Sequence, residues 1–195
     1  MRPWSNLEPI VIGAAIALLA LVPVAVVLFV KSGLYDVAAS RPHSKLTEWL
    51  THETMIHSVR RHARAVQAPP RFSGADVAAG FCAYETHCVA CHGAPAIARE
   101  PWVGGLEPSP PYLLDATSRW TPTELFWIVK NGIKMTGMPS WRDSMSDRQV
   151  WTVVAFLEAM RSLPPRSYGD WRSRRMCGGF SGPWPAPAPP ATPRP

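Results

Sequence analysis

The sequence predicts an all-α protein, and three observations predict it. Apolar residues recur at helical spacing in four separate segments. Three of those segments open on Ser or Thr with Asp, Glu or Gln three positions later, the pattern that caps a helix N-terminus. No segment alternates apolar and polar residues as a half-buried strand would. The chain has 195 residues, room for one modest domain with appendages, and its 22 prolines gather near the C-terminus while apolar residues gather near the N-terminus. Lys and Arg exceed Asp and Glu by 20 to 14, a net charge of +6. With no nucleic-acid motif beside it, that surplus does not call for nucleic acid as a partner, and it suits anionic lipid headgroups or an acidic protein face equally well.

Taken in order, residues 1–9 form a short polar lead. Residues 10–30, from Ile10 to Val30, contain no charge and as a helix would be about 30 Å long, the thickness of a bilayer core. They predict one transmembrane helix, with Pro23 inside it. Val37-Ala38-Ala39 resembles a cleavage site, but the apolar run exceeds that of a signal peptide and ends well before it, which favours an uncleaved anchor. Flanking charges orient the span poorly, with Arg2 offset by Glu8 and with Lys31 and Arg41 beyond.

Residues 31–70 hold an amphipathic helix and a linker. Leu46, Trp49, Leu50, Ile56, Val59 and Val66 fall roughly on one stripe, with Arg60, Arg61 and Arg64 near its end. A spacer helix with a solvated basic face accounts for it; the membrane surface, the following domain and a partner subunit are the other surfaces it could meet. His52, His57 and His62 step by five, which does not place them on one helix face, so a metal site is not expected there. Pro69-Pro70 closes the segment.

Residues 71–165 contain the three capped helices. The first opens at Ser73 with Asp76, and Val77, Phe81, Tyr84 and Cys88 share its inner face. A loop rich in Pro and Gly follows Gly93. Thr121-Pro122-Thr123-Glu124 starts a short helix that Asn131-Gly132 ends. Ser146 and Gln149 start the last, which runs through Val150, Val153, Val154, Leu157 and Met160 until Pro164-Pro165 stops it. Residues 166–195 read as a basic and then Pro-rich tail without order, extended or disordered from 178 onward.

Cys88-Val89-Ala90-Cys91-His92 carries the chemistry. Two thiols at this spacing can bond to the two vinyl groups of one haem while the adjacent imidazole takes an axial position on its iron. A thioredoxin-type dithiol needs a βαβ context, and a zinc site needs a second close pair that Cys82 and Cys177 do not make. The other face of the iron calls for a second ligand. Met138 stands between Gly137 and Pro139, which impose an irregular backbone; Met135 and Met145 are the alternatives, and a methionine is otherwise a core filler. Cys82 and Cys177 are an even remainder that an oxidising compartment could bridge, or could leave as a buried thiol and a loose one.

Residues 73–163 resemble a monohaem class I cytochrome c, especially the cytochrome domains attached to bacterial respiratory oxidases and dehydrogenases. The resemblance rests on Gly80-Phe81-Cys82-Ala83-Tyr84, on Cys88 to Gly93, on Thr136-Gly137-Met138-Pro139 and on Val153 to Leu157, and it leaves the anchor, the basic helix and the tail uncovered. It implies three main helices wrapped around one covalent haem c, bound by Cys88, Cys91, His92 and Met138, with His92 and Met138 as the metal ligands. It implies Gly80 and Tyr84 at the crossing of the first and last helices, close to Ala155 and Phe156. It implies a proline carbonyl against the outer nitrogen of His92, with Pro108, Pro110 and Pro111 as candidates. The function implied is single-electron transfer, not catalysis, between redox protein partners such as a dehydrogenase and an oxidase, with the haem domain in the periplasm of a bacterial inner-membrane protein and residues 1–9 in the cytoplasm. A fixed subunit of such a complex, or a haem sensor or enzyme with a labile Met138, is the alternative.

Overall fold

The computed structural model describes residues 7–69, 71–174 and 177; residues 178–195, where an extended or disordered tail is expected, lie outside them. Among the described residues the regular structure is helical, with one isolated β-bridge between Ala94 and Ile97. The chain divides after Arg41 into two compact units.

The first unit is built on helix α1 (Leu7–Ser32), which continues through Pro23. Its stretch Pro9–Ser32 is long and apolar enough to cross a membrane. Gly33, at φ +68°, ends the helix.

The second unit begins with α2 (Lys45–Ala63), capped by Ser44, whose side chain accepts from Thr47 N–H. Val59 and Ala63 are buried against α6 (Pro122–Asn131), His62 stacks on Trp127 with ring centroids 5.5 Å apart, and Arg60 pairs with Glu124 at 3.9 Å. The helix is therefore more than a solvated spacer. Only its C-terminal half is seated, however: Leu46, Trp49 and Leu50 of the expected stripe are exposed. Among the described residues no group of three or more histidine, cysteine or carboxylate side chains gathers as a metal cluster.

The core is the crossing of α3 (Gly74–His87) with α7 (Asp147–Met160). All three expected capping boxes form, at Ser73 with Asp76, Thr121 with Glu124 and Ser146 with Gln149. Gly80 is the point of closest approach. A Cβ there would stand 1.9 Å from the Thr152 carbonyl oxygen and 2.8 Å from Phe156 Cβ, so any larger residue would push the helices apart. The atoms nearest Gly80 belong to the Thr152 backbone and to Phe156 Cβ, so Phe156 lies at the crossing as expected. Phe81, Tyr84 and Phe156 fill the crossing, with Tyr84 and Phe156 centroids 5.2 Å apart. Arg148 bonds Asp76 at 3.0 Å and joins the two N-termini.

Two differences from the sequence reading concern what surrounds this core. The loop after Gly93 contains a 3-10 turn at Pro101–Gly105 and a single helical turn, α5 (Leu113–Ala116). The folded unit also continues past residue 165, because α8 (Pro165–Ser173) packs back onto α3. Tyr168 is fully buried against Phe81 and donates to Glu85 Oε2 at 2.5 Å, while Arg172 pairs with Glu85 at 2.7 Å. Cys177 then forms a disulfide with Cys82. Pro165 starts this helix from the N1 position, where its missing N–H costs nothing.

Candidate functional site

Cys88 is where α3 ends and the one-turn helix α4 (Val89–His92) begins. Its N–H still bonds to Tyr84 O at 2.8 Å, and its carbonyl accepts from Cys91 and His92 at 3.1 and 2.9 Å, so the two thiols and the imidazole share one tight turn. Cys88 and Cys91 are half-buried and unbridged. Burial, aided by the neighbouring Cys91, pushes the Cys88 thiol up to about 12.

The imidazole is oriented from behind. His92 Nδ1 lies 2.9 Å from the Pro111 carbonyl, which separates Pro111 from Pro108 and Pro110. A carbonyl only accepts, so Nδ1 carries the hydrogen and the Nε2 lone pair is left for a metal. Burial holds the ring below the usual histidine range, partly offset by the bond to Pro111, so the neutral form that ligates is favoured. Gly93, at φ +65°, turns the chain out of the motif. A Cβ there would meet Ile97 O at 2.9 Å and the Tyr112 ring at 3.1 Å, and its carbonyl accepts the Tyr84 hydroxyl at 2.5 Å.

The methionine loop follows α6. Gly132, at φ +66°, lies so close to Pro139 that a Cβ would stand 2.5 Å from that residue's carbonyl atoms. Ile133 N–H donates to Met138 O at 3.2 Å, Thr136 Oγ1 donates to Ile133 O at 2.7 Å, and Met138 N–H donates to Thr136 Oγ1 at 3.1 Å. Gly137 and Pro139 suggest an irregular loop in the sequence; Gly132 and Thr136 are the residues that close it. Met138 is half-buried, Met135 is 85% exposed with φ +61°, and Met145 is 3% exposed within the core. Two contacts join this loop to the thiol side: Leu106 packs on Gly137, and the Trp141 ring meets His87 with centroids 4.9 Å apart.

Residues 75–157 match the family model for cytochrome c oxidase, cbb3-type, subunit III. Residues 75–157 are a cytochrome c domain. No curated protein matches the chain. Domains of this class carry haem c and transfer electrons, and the donor set of this cytochrome c domain suits that group. It offers two unbridged thiols on one turn, and beside them an imidazole with Nδ1 engaged and Nε2 left over.

Proposed function

We propose that the protein carries single electrons through one haem c, attached by thioether bonds at Cys88 and Cys91 and ligated by His92 and Met138. The observation that carries the reading is the His92 bond to Pro111 beside two free thiols, because it leaves one ring nitrogen for iron and fixes its direction. A haem with both axial positions filled by protein changes charge with little rearrangement, which suits electron transfer better than binding of a small ligand. In this reading α1 anchors the protein in a bacterial inner membrane, the haem domain faces the periplasm, and donor and acceptor are redox proteins such as a dehydrogenase and a terminal oxidase. The family match supports a second form of the same chemistry, a fixed subunit of a terminal oxidase.

Mass spectrometry of the purified protein is expected to show one covalent haem, and the reduced protein should ignore carbon monoxide at neutral pH while exchanging electrons rapidly with soluble mediators. Its potential should be positive, since a thioether ligand favours ferrous iron. Fast stoichiometric carbon monoxide binding would sink the carrier reading and favour a sensor with a labile Met138. Met138→Ala should remove the near-infrared sulfur-to-iron band and Met135→Ala should keep it; the reverse would exchange the two methionines. Comigration of the protein with oxidase subunits after mild solubilisation would select the fixed-subunit form.

A further inference from the structure

Arg99 belongs to none of the motifs above, yet it touches both sides of the bond that aims His92. The path starts at the thiol turn: the residue after Arg99, Glu100, donates its N–H to the carbonyl of Ala90 at 2.9 Å, and Ala90 lies between Cys88 and Cys91. From this anchored base the half-buried arginine reaches across the loop. Its Nη1 donates to the Pro110 carbonyl, and its guanidinium carbon lies 4.0 Å from the centroid of the Tyr112 ring. Pro110 and Tyr112 are the two neighbours of Pro111, whose carbonyl accepts from His92.

We propose that Arg99 is a positioning residue for the His92 imidazole, gripping both neighbours of Pro111 and so fixing where the Pro111 carbonyl points. The inference rests on the haem reading above. Its physical basis is the shortage of donors in this stretch. Pro110 and Pro111 have no N–H, so the backbone cannot hold itself by its own hydrogen bonds there, and a side chain must donate to its carbonyls. Arginine is the side chain that can donate through its edge and lie over an aromatic ring with its face at the same time; lysine can do one or the other. The guanidinium charge sits on the carbonyl next to Pro111, whose own carbonyl meets His92. A fixed cation beside an iron ligand opposes the extra positive charge of the ferric state and so raises the potential.

The test uses the full-length, haem-loaded protein in detergent, with Arg99→Lys and Arg99→Gln. Hydrogen exchange of the His92 Nδ1 proton, followed by NMR in the reduced state, should quicken about tenfold or more in both variants, the factor that one lost charged hydrogen bond gives. The potential should fall in Arg99→Gln, which has lost the charge, and stay near that of the parent in Arg99→Lys. A merely structural role would not separate the two variants in this way. Unchanged proton exchange in both, with haem fully attached, would overturn the proposal. If neither folds, Tyr112→Leu keeps the hydrogen bond and removes the ring platform, and unchanged exchange there would overturn it equally. Absence of covalent haem in the parent protein is a different failure: it removes the haem reading itself, and this inference with it.

Discussion

The two loops that flank the candidate site are held by different means. The loop after the thiol turn, from Gly93 to Tyr112, is tied to the preceding helices by Tyr84 to Gly93, Glu100 to Ala90 and His92 to Pro111, and is braced across itself by Arg99 to Pro110. The methionine loop is tied mainly to itself, by Gly132, by the bond from Ile133 to Met138 and by the Thr136 hydroxyl. A loop held by long-range bonds cannot move without disturbing the core. A loop held by local bonds can change shape while the core stays intact, so the histidine side is fixed by tertiary structure and the methionine side by its own sequence.

The largest effect that would break this contrast comes from Gly132→Ala. The new Cβ must tolerate φ +66° and a backbone contact at 2.5 Å, so the loop has to rebuild, at a cost on the order of 3 kcal/mol. Chemical denaturation should show that loss together with disappearance of the sulfur-to-iron band, while haem remains covalently bound. An unchanged midpoint and band would show that the loop is not closed as described.

Tyr84→Phe probes the other side. It leaves the Gly93 carbonyl without its buried donor and should cost about 1–3 kcal/mol while the same band is retained. Burial raises the pKa of the Tyr84 hydroxyl well above the usual tyrosine value of 10.0, and that of Tyr168 is raised likewise by burial and by its bond to Glu85. In the unfolded chain both hydroxyls lose their protons near that value, whereas the folded chain keeps them. The unfolded state then binds fewer protons, so stability is full below about pH 10 and falls as pH rises beyond it. Denaturation midpoints followed through that range should decline for the parent and decline less steeply for Tyr84→Phe; parallel curves would contradict the assignment.

The smallest of these effects sharpens the contrast. Thr136→Val removes a hydroxyl that bonds within its own loop, and should cost about 1 kcal/mol with no change in the exchange of the His92 ring proton. A change in that proton would mean that the two loops are coupled through the contact of Leu106 with Gly137.

What the sequence made legible follows the same division. Capping boxes and helical stripes are local signals, so α3, α6 and α7 could be placed from Ser73, Thr121 and Ser146 alone. The Cys88 to His92 motif and the Gly-Met-Pro segment stand out in the sequence because the residues that single them out are neighbours. Pro111 could not be separated from Pro108 and Pro110, since which carbonyl meets His92 depends on the path of a whole loop. Arg99 was missed for the same reason: only folding brings it to Pro110 and Tyr112. The α8 helix was missed because its sequence is short and polar, with Tyr168 and Trp171 as its large apolar side chains, and what stabilises it is tertiary, namely burial of Tyr168 and the pairing of Glu85 with Tyr168 and Arg172. The one signal was Pro165, read as a stop when it is the first residue of a new helix.

The disulfide between Cys82 and Cys177 sets a problem for the birth of the molecule. Cys82, Cys88 and Cys91 lie within ten residues of one another, whereas the correct partner of Cys82 comes 95 positions later and is the last of the four to be synthesised. An environment oxidising enough to make the bridge would also tend to pair the two motif thiols, and those must be reduced to accept haem in the manner proposed. Maturation of this one chain therefore asks for opposite redox treatment of two cysteine pairs. Cells short of thiol reductant should accumulate a haem-free form with Cys88 and Cys91 joined, which gel mobility before and after alkylation would reveal.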